Sequence, residues 1–368
     1  MSQPPADAHG GQEGHPPRMD VLENSSSDQQ CFQTPKATYS LVLDVPYFLC
    51  ESLTALLSIV GNLFICAVIL QSRELRVITA NYFLVSLAVA DFFVGAVVIP
   101  CAQVTDVGLP RYRPQLCLLM LCTLLVFTQA SVFGLLAVAV ERYVSILKPF
   151  QYRALLSPRN ALLVILACWV LAFVSGLLPF MGWHGPFPAS GECLFKSIIQ
   201  NSYMVYFNFI ACMLVPLSIM MVLYGRIFLE VRRQIRKVAE GEVDLSAHER
   251  RRIIIRKELQ TATSLFILIF FFTVCWLPVH ILNTVALVCP SCCIPNLLGL
   301  TTVILSHANS AINPVVYVFR MRSFRKAFEG ALSRICYSST AGTFPGSEAM
   351  PSAILEEPPL RNTALPGK

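Results

Sequence analysis

Seven long apolar stretches run through the chain, at roughly 46–71, 79–104, 116–147, 159–182, 200–229, 260–288 and 296–319. A helix crossing the hydrocarbon core of a bilayer needs about 20 residues of this character, and every stretch supplies them. Such segments fold as helices because lipid offers no water to a bare backbone, whereas a helix satisfies its own polar groups. The sequence therefore predicts an all-α membrane protein, a seven-transmembrane helix bundle over 46–319. A short amphipathic cytoplasmic helix over 320–336 is expected to follow the seventh span. No repeat at solenoid or propeller spacing is present, so one bundle accounts for the ordered chain.

Composition agrees with that solvent. A mean hydropathy of +0.61, with 55% hydrophobic and 14% charged residues, is too apolar for a soluble domain of 368 residues. Positive residues then orient the bundle. Arg73, Arg76, Lys148, Arg153 and Arg159 lie in two loops on one side, joined there by the basic runs at 232–237, 250–257 and 322–326. The opposite side offers Arg18, Lys36, Arg111, Arg113 and Lys196. The richer side is cytoplasmic by the positive-inside rule, which places the N-terminus outside in a multi-pass plasma-membrane protein. The net charge of +6 is thus a topology signal and argues for no nucleic-acid partner.

The ends are polar. Residues 1–45 lack the apolar core of a cleavable signal peptide and read as a disordered extracellular tail, with Asn24-Ser-Ser26 as a glycosylation acceptor. Residues 337–368 read as a disordered cytoplasmic tail, in which Ser338, Ser339 and Thr340 are either sites of phosphorylation by receptor kinases or plain solvated linker. Cys336 follows the basic stretch at a depth suited to palmitoylation.

Of 14 cysteines, seven fall within spans, where a thiol acts as a small hydrophobe. Cys117 opens the third span and Cys193 lies in the loop before the fifth; both are on the outer side, where disulfides persist. We expect them to pair and to pin that loop over the mouth of the bundle. Cys289, Cys292 and Cys293 cluster in the last outer loop without a neighbouring His, which favours a Cys289–Cys292 disulfide over zinc. Parity then leaves Cys293 for Cys31 in the tail or for another chain.

Ionisable groups inside a membrane are costly and mark function. Asp91 lies deep in the second span, and Ser131, Asn309 and Asn313 offer oxygen ligands from other spans at similar depth. They suggest a pocket for an allosteric sodium ion; a protonated Asp91 bonded to the same groups is the alternative. Glu141-Arg142-Tyr143 ends the third span, and Glu258 at the start of the sixth is placed to pair with Arg142. Trp276-Leu-Pro278 bends the sixth helix and sets an indole above the kink. Asn313-Pro314-Val-Val-Tyr317 frees backbone groups in the seventh.

These motifs resemble those of rhodopsin-like G-protein-coupled receptors. Phe127-Thr-Gln-Ala-Ser131, Tyr203-Met-Val-Tyr-Phe-Asn-Phe209, Trp276-Leu-Pro-Val-His-Ile-Leu-Asn283 and Leu305-Ser-His-Ala-Asn-Ser310 are similar, more narrowly, to adenosine receptors. The resemblance implies a receptor rather than an enzyme, taking adenosine or a related nucleoside in the helix bundle and activating a heterotrimeric G protein. Arrestin and membrane lipids are implied as further partners. It also implies a ligand set. Phe195 would stack on the adenine, and Asn283 would pair with its edge. Ser306 and His307 would meet the ribose, Thr128 would form the floor, and Glu51 would orient His307. Leu125, Met204, Trp276, Leu277, His280 and Val303 would line the slot. Arg226-Ile-Phe-Leu-Glu-Val-Arg-Arg-Gln234 and Cys275 resemble subtypes that stimulate adenylate cyclase; another small ligand, or inhibitory coupling, is the alternative reading.

One position departs from the family. An acid often follows the stacking Phe, where this chain has Lys196, a donor only. Residues 289–300 contain no Asp, Glu or His to meet it, so an ionic latch within that loop is not expected.

Overall fold

The computed structural model describes residues 38–239, 245–320, 324–330 and 333. Seven long helices follow in chain order. They are α1 (Thr38–Gln71); α2, built from Ala80–Phe93, a π turn Val94–Val98 and Ile99–Asp106; α3 (Pro114–Leu147); and α4 (Pro158–Gly176). After them come α5, built from a π-helical Tyr203–Leu214 that continues into Val215–Ala239, then α6 (Leu245–Val288) and α7 (Asn296–Arg320).

Local sequence sets where these helices start and bend. Pro114 and Pro158 occupy the first turns of α3 and α4, where a missing N–H costs nothing. The Ser157 hydroxyl caps α4 by accepting from Asn160 N. Pro46, Pro278 and Pro314 lie inside α1, α6 and α7. The π segments of α2 and α5 add a residue per turn and re-aim the side chains that follow.

Burial orders the bundle. The apolar window of α3 is 61% buried, against 22% for α1 and for α4, so α3 runs through the centre and the other two lie at the margin. Leu162, Leu163, Leu166, Val170 and Leu171 of α4 stay exposed, as expected of a face that lipid covers. Among the described residues two large apolar clusters and a smaller one, around Ala90, Ala130 and Ala172, lie between the helices. One large cluster holds Leu87, Val138, Met220, Phe272 and Tyr317. The other holds Val98, Cys117, Leu121, Ile198 and Tyr203, toward the Cys117–Cys193 disulfide.

Lipid provides no hydrophobic drive between helices, so small residues that allow close approach matter. A β-carbon on Gly176 of α4 would meet the backbone nitrogen and side chain of Val126 at 2.6 Å. Gly176→Val is therefore expected to destabilise the receptor by about 1–3 kcal/mol through overpacking. The check is the melting temperature of detergent-solubilised receptor, and an unchanged value would refute the close packing of α3 on α4.

Helix ends depart from the sequence reading in a consistent way. The first helix starts at Thr38 rather than 46, α5 continues to Ala239 rather than 229, and α6 begins at Leu245 rather than 260. Hydropathy marks only the apolar part of a span, and no Pro or Gly stops these helices where the chain turns polar. In contrast α4 stops at Gly176 rather than 182. Among the described residues six helices are long and apolar enough to cross a membrane. The seventh stretch, α7, has the length, but Ser306, His307, Asn309, Ser310 and Asn313 are buried along it. Of the predicted helix at 320–336, residues 324–330 are helical, with Phe324 buried near Tyr317 and Phe328 edge-on to Phe64 at 5.8 Å.

Candidate functional site

The loop before α5 is pinned over one end of the bundle, called the mouth below. Cys193 is joined to Cys117 at the start of α3, and Cys193 N donates to Gly108 O at 3.0 Å. Gly185 N donates to Ile198 O at 2.7 Å, which returns the loop to the bundle wall. These anchors hold Phe195 in a short helix, Phe195–Ile198, half-buried against the cluster that contains Leu125 and Met204. In the last loop at the mouth Cys289 is joined to Cys292. Cys293 is disulfide-bonded as well, whereas Cys31, together with Asn24 and Cys336, lies outside the described residues.

Beneath Phe195, α1 and α7 bring together two ionisable groups. His307 Nδ1 lies 2.8 Å from Glu51 Oε2, with Glu51 fully buried and His307 7% exposed. Glu51 Oε2 accepts a hydrogen bond from Nδ1–H in the tautomer that leaves Nε2 as an acceptor. Next along α7, Ser306 donates to Val303 O at 2.7 Å, and Thr128 on α3 donates to Leu124 O and Leu125 O. Both hydroxyl oxygens keep lone pairs for a ligand.

The floor is aromatic. Trp276 stacks on His280 with centroids 6.0 Å apart, and His280 stacks on Phe209 at 4.8 Å. A cavity of about 10 Å³ lies here, lined by Thr128, Gln129, Val132, Asn208, Met213, Trp276 and His280. Gln129 Oε1, Trp276 Nε1 and His280 Nδ1 are buried without a hydrogen-bond partner, and a space of that size with such partners suits one hydrogen-bonding group. Sequence reasoning missed Gln129, although it lies inside a stretch singled out for its resemblance. Leu277, Asn283 and Val303 are half-buried on α6 and α7. No hydrogen bond or ring contact among the described residues ties them to the others. Of the expected set, Glu51 is joined to His307, Thr128 lines the small cavity with Trp276 and His280, and Phe195 packs in one cluster with Leu125 and Met204; Asn283 follows Trp276 and His280 by helical register alone.

Deeper in the bundle the Asp91 carboxylate accepts three hydrogen bonds. They come from Ser131 and Ser310 at 2.8 Å each and from Asn313 at 2.6 Å. Asn309, expected here as an oxygen ligand, makes no hydrogen bond to Asp91 among the described residues, and Ser310, which was not anticipated, does. The i, i+3 spacing of Ser310 and Asn313 sets both on one face of α7; that spacing was the signal available. Gly61 of α1 approaches Pro314 so closely that a β-carbon would lie 2.8 Å from its ring, and Tyr317 is buried one turn further on.

At the basic end Arg142 Nε pairs with Glu141 Oε2 at 2.9 Å, and Tyr152 donates to Glu141 Oε1 at 2.8 Å. Tyr143 packs against the neighbouring apolar cluster. Burial, reinforced by the Glu141 carboxylate, pushes the Tyr152 hydroxyl above its usual range, so it remains a donor. Tyr152 was not anticipated from sequence. The Glu258 side chain, and with it the expected Arg142–Glu258 pair, lies outside the described residues.

A buried acid–imidazole pair at one end, a stack over a proline bend in the middle and a restrained arginine at the other end suit transmission across a membrane. None of them brings a nucleophile beside a base. The chain belongs to the 7 transmembrane receptor (rhodopsin) family, whose pattern matches residues 61–317; it is a multi-pass plasma-membrane receptor and not an enzyme. Within that family it is similar to adenosine receptors. It is 41% identical to adenosine receptor A2a of Equus caballus over 296 residues, covering 77% of this chain and 71% of the relative. It is also 41% identical to adenosine receptor A2b of Bos taurus over 309 residues, covering 79% and 90%.

Proposed function

We propose that this receptor binds extracellular adenosine, or a close nucleoside, at the mouth of the bundle and stimulates adenylate cyclase through a heterotrimeric G protein. The observation that carries the reading is the buried His307–Glu51 pair at 2.8 Å, on a chain about 40% identical to relatives named adenosine receptors. A histidine fixed in this way presents a defined acceptor to a ribose hydroxyl, and Phe195 and Asn283 supply the flat face and the amide for the base. The mouth then faces outward and the basic end meets the G protein, receptor kinases and arrestin. Displacement of a radiolabelled nucleoside by adenosine on membranes from transfected cells tests the ligand. A rise in cyclic AMP on adding adenosine tests the coupling; a fall in the forskolin-raised level would reverse that part.

Asp91, Ser131 and Asn313 hold a sodium ion in the resting receptor, with the Ser310 hydroxyl as a further oxygen ligand. The support is the donor set: two hydroxyls that turn readily from donor to acceptor, one amide oxygen and one carboxylate. Sodium is expected to lower agonist affinity of the native receptor several-fold relative to choline at matched ionic strength, and to have no effect on Asp91→Asn. An equal sodium effect on both receptors would remove the ion from this site.

A further inference from the structure

Cys293, in the last loop at the mouth, is disulfide-bonded, and its partner lies in the same chain. The other described cysteines are all accounted for. Cys117 is joined to Cys193 and Cys289 to Cys292, and the seven within the spans are free thiols. The sequence then leaves two candidates for the partner, Cys31 and Cys336.

Length decides between them. Residues 324–330 pack at the end of the bundle away from the mouth, where Phe328 meets Phe64 near the inner end of α1. The six positions from Gly330 to Cys336 reach about 20 Å when fully extended. The 25 residues of α7 hold that end about 37 Å from Cys293, beyond the reach of Cys336. Cys31 is placed differently. Glu51 and Asn62 of α1 bond to His307 and Ser310 of α7 in the same chain order. The two helices therefore run side by side in one direction, and both begin at the mouth. Cys31 is seven positions before Thr38, and Cys293 is three before Asn296. Those segments can extend about 23 and 10 Å, whereas the axes of packed helices lie about 8–10 Å apart.

We propose that Cys31 and Cys293 form a disulfide that fastens the N-terminal tail across the outer ends of α1 and α7. The bond spans the seam above the Glu51–His307 pair and restrains the two helices from parting there. The inference rests on the mouth facing an oxidising compartment and is independent of the ligand beneath it. Formation is an exchange with a disulfide oxidant of the secretory pathway. One cysteine thiolate attacks the oxidant and expels a thiol; the second cysteine then displaces the other. Two electrons and two protons pass from the cysteines to the oxidant, which leaves as two thiols.

The test uses the full-length receptor with an epitope at its N-terminus and a site for a sequence-specific protease inserted between Lys36 and Ala37. After cleavage on intact cells with free thiols blocked, the epitope should stay on the receptor band without reductant and leave it on reduction. Cys31→Ser and Cys293→Ser should each release the epitope without reductant, whereas the Cys289→Ser, Cys292→Ser double variant should retain it. The native receptor alone decides the matter should a serine variant fail to reach the surface. Release from the native receptor without reductant, or retention in Cys293→Ser, would overturn the bond. An epitope-bearing band of twice the receptor mass that disappears in Cys31→Ser would overturn it too, in favour of pairing between chains. Cleavage only in permeabilised cells, with the epitope retained, would uphold the bond and reject the outward mouth. In detergent, the two single serine variants should lower the melting temperature equally, and the doubly substituted form no further. Losses that add would show that the two cysteines are not partners.

Discussion

Asn283→Ala is expected to weaken nucleoside binding by about 10- to 100-fold while leaving the amount of receptor at the cell surface unchanged. Trp276, His280 and Asn283 follow at i, i+4 and i+7 on α6, so they share one face. The first two are observed stacked, at 6.0 Å, and they flank Pro278 in the sequence. Asn283 continues that face toward the mouth, where it is half-buried. An amide there pairs with both the ring nitrogen and the exocyclic amine of adenine. Truncation leaves those ligand groups desolvated and unpaired, at a cost of about 1–3 kcal/mol. Alanine favours the helix and removes no hydrogen bond seen among the described residues, so expression should not suffer. Saturation binding with surface labelling decides it: affinity within about threefold of native would dismiss Asn283 as the adenine partner.

Glu51→Ala should damage the receptor in two ways at once. It deletes a buried acceptor from a pair that is almost fully shielded from solvent, and breaking a buried pair costs about 3–5 kcal/mol. The melting temperature of the solubilised, unliganded receptor should fall. Agonist affinity should fall by a further 10- to 100-fold, roughly, because His307 loses the partner that fixes its ring and tautomer. Glu51→Gln separates the two effects. Its amide oxygen still accepts from Nδ1–H, so orientation survives and the losses are smaller. If Glu51→Gln were as damaging as Glu51→Ala in agonist binding, the charge of Glu51, and not its role in orienting His307, would be what matters.

The bundle was legible from hydropathy because bilayer thickness imposes one length on every span, and the count of seven agrees with the family match over 61–317. Positions set by local chemistry were also legible: Asp91 stands out as a carboxylate in an apolar run, and Cys117 and Cys193 stand out by depth. What escaped were several partners that depend on how helices face one another, although Glu51–His307 and Asp91 with Ser131 and Asn313 were expected. Ser310 looks no different from other serines until α7 is rotated against α2 and α3. Tyr152 becomes a partner of Glu141 only because the short helix Pro149–Leu155 folds back beneath α3. The π segments in α2 and α5 leave no mark in hydropathy, because an added residue changes direction and not polarity.

The polarity of α7 has a consequence for how the receptor is made. A segment carrying Ser306, His307, Asn309, Ser310 and Asn313 partitions into lipid far less readily than α1 to α6. His307, Ser310 and Asn313 make their hydrogen bonds only against helices already in place, to Glu51 on α1 and Asp91 on α2. Integration of the last span is thus coupled to assembly of the first two, and chains that mispack early will fail as biogenesis defects before any ligand is met. His307, proposed to meet the ligand, is thus also one of the side chains that make the final helix wait for its neighbours.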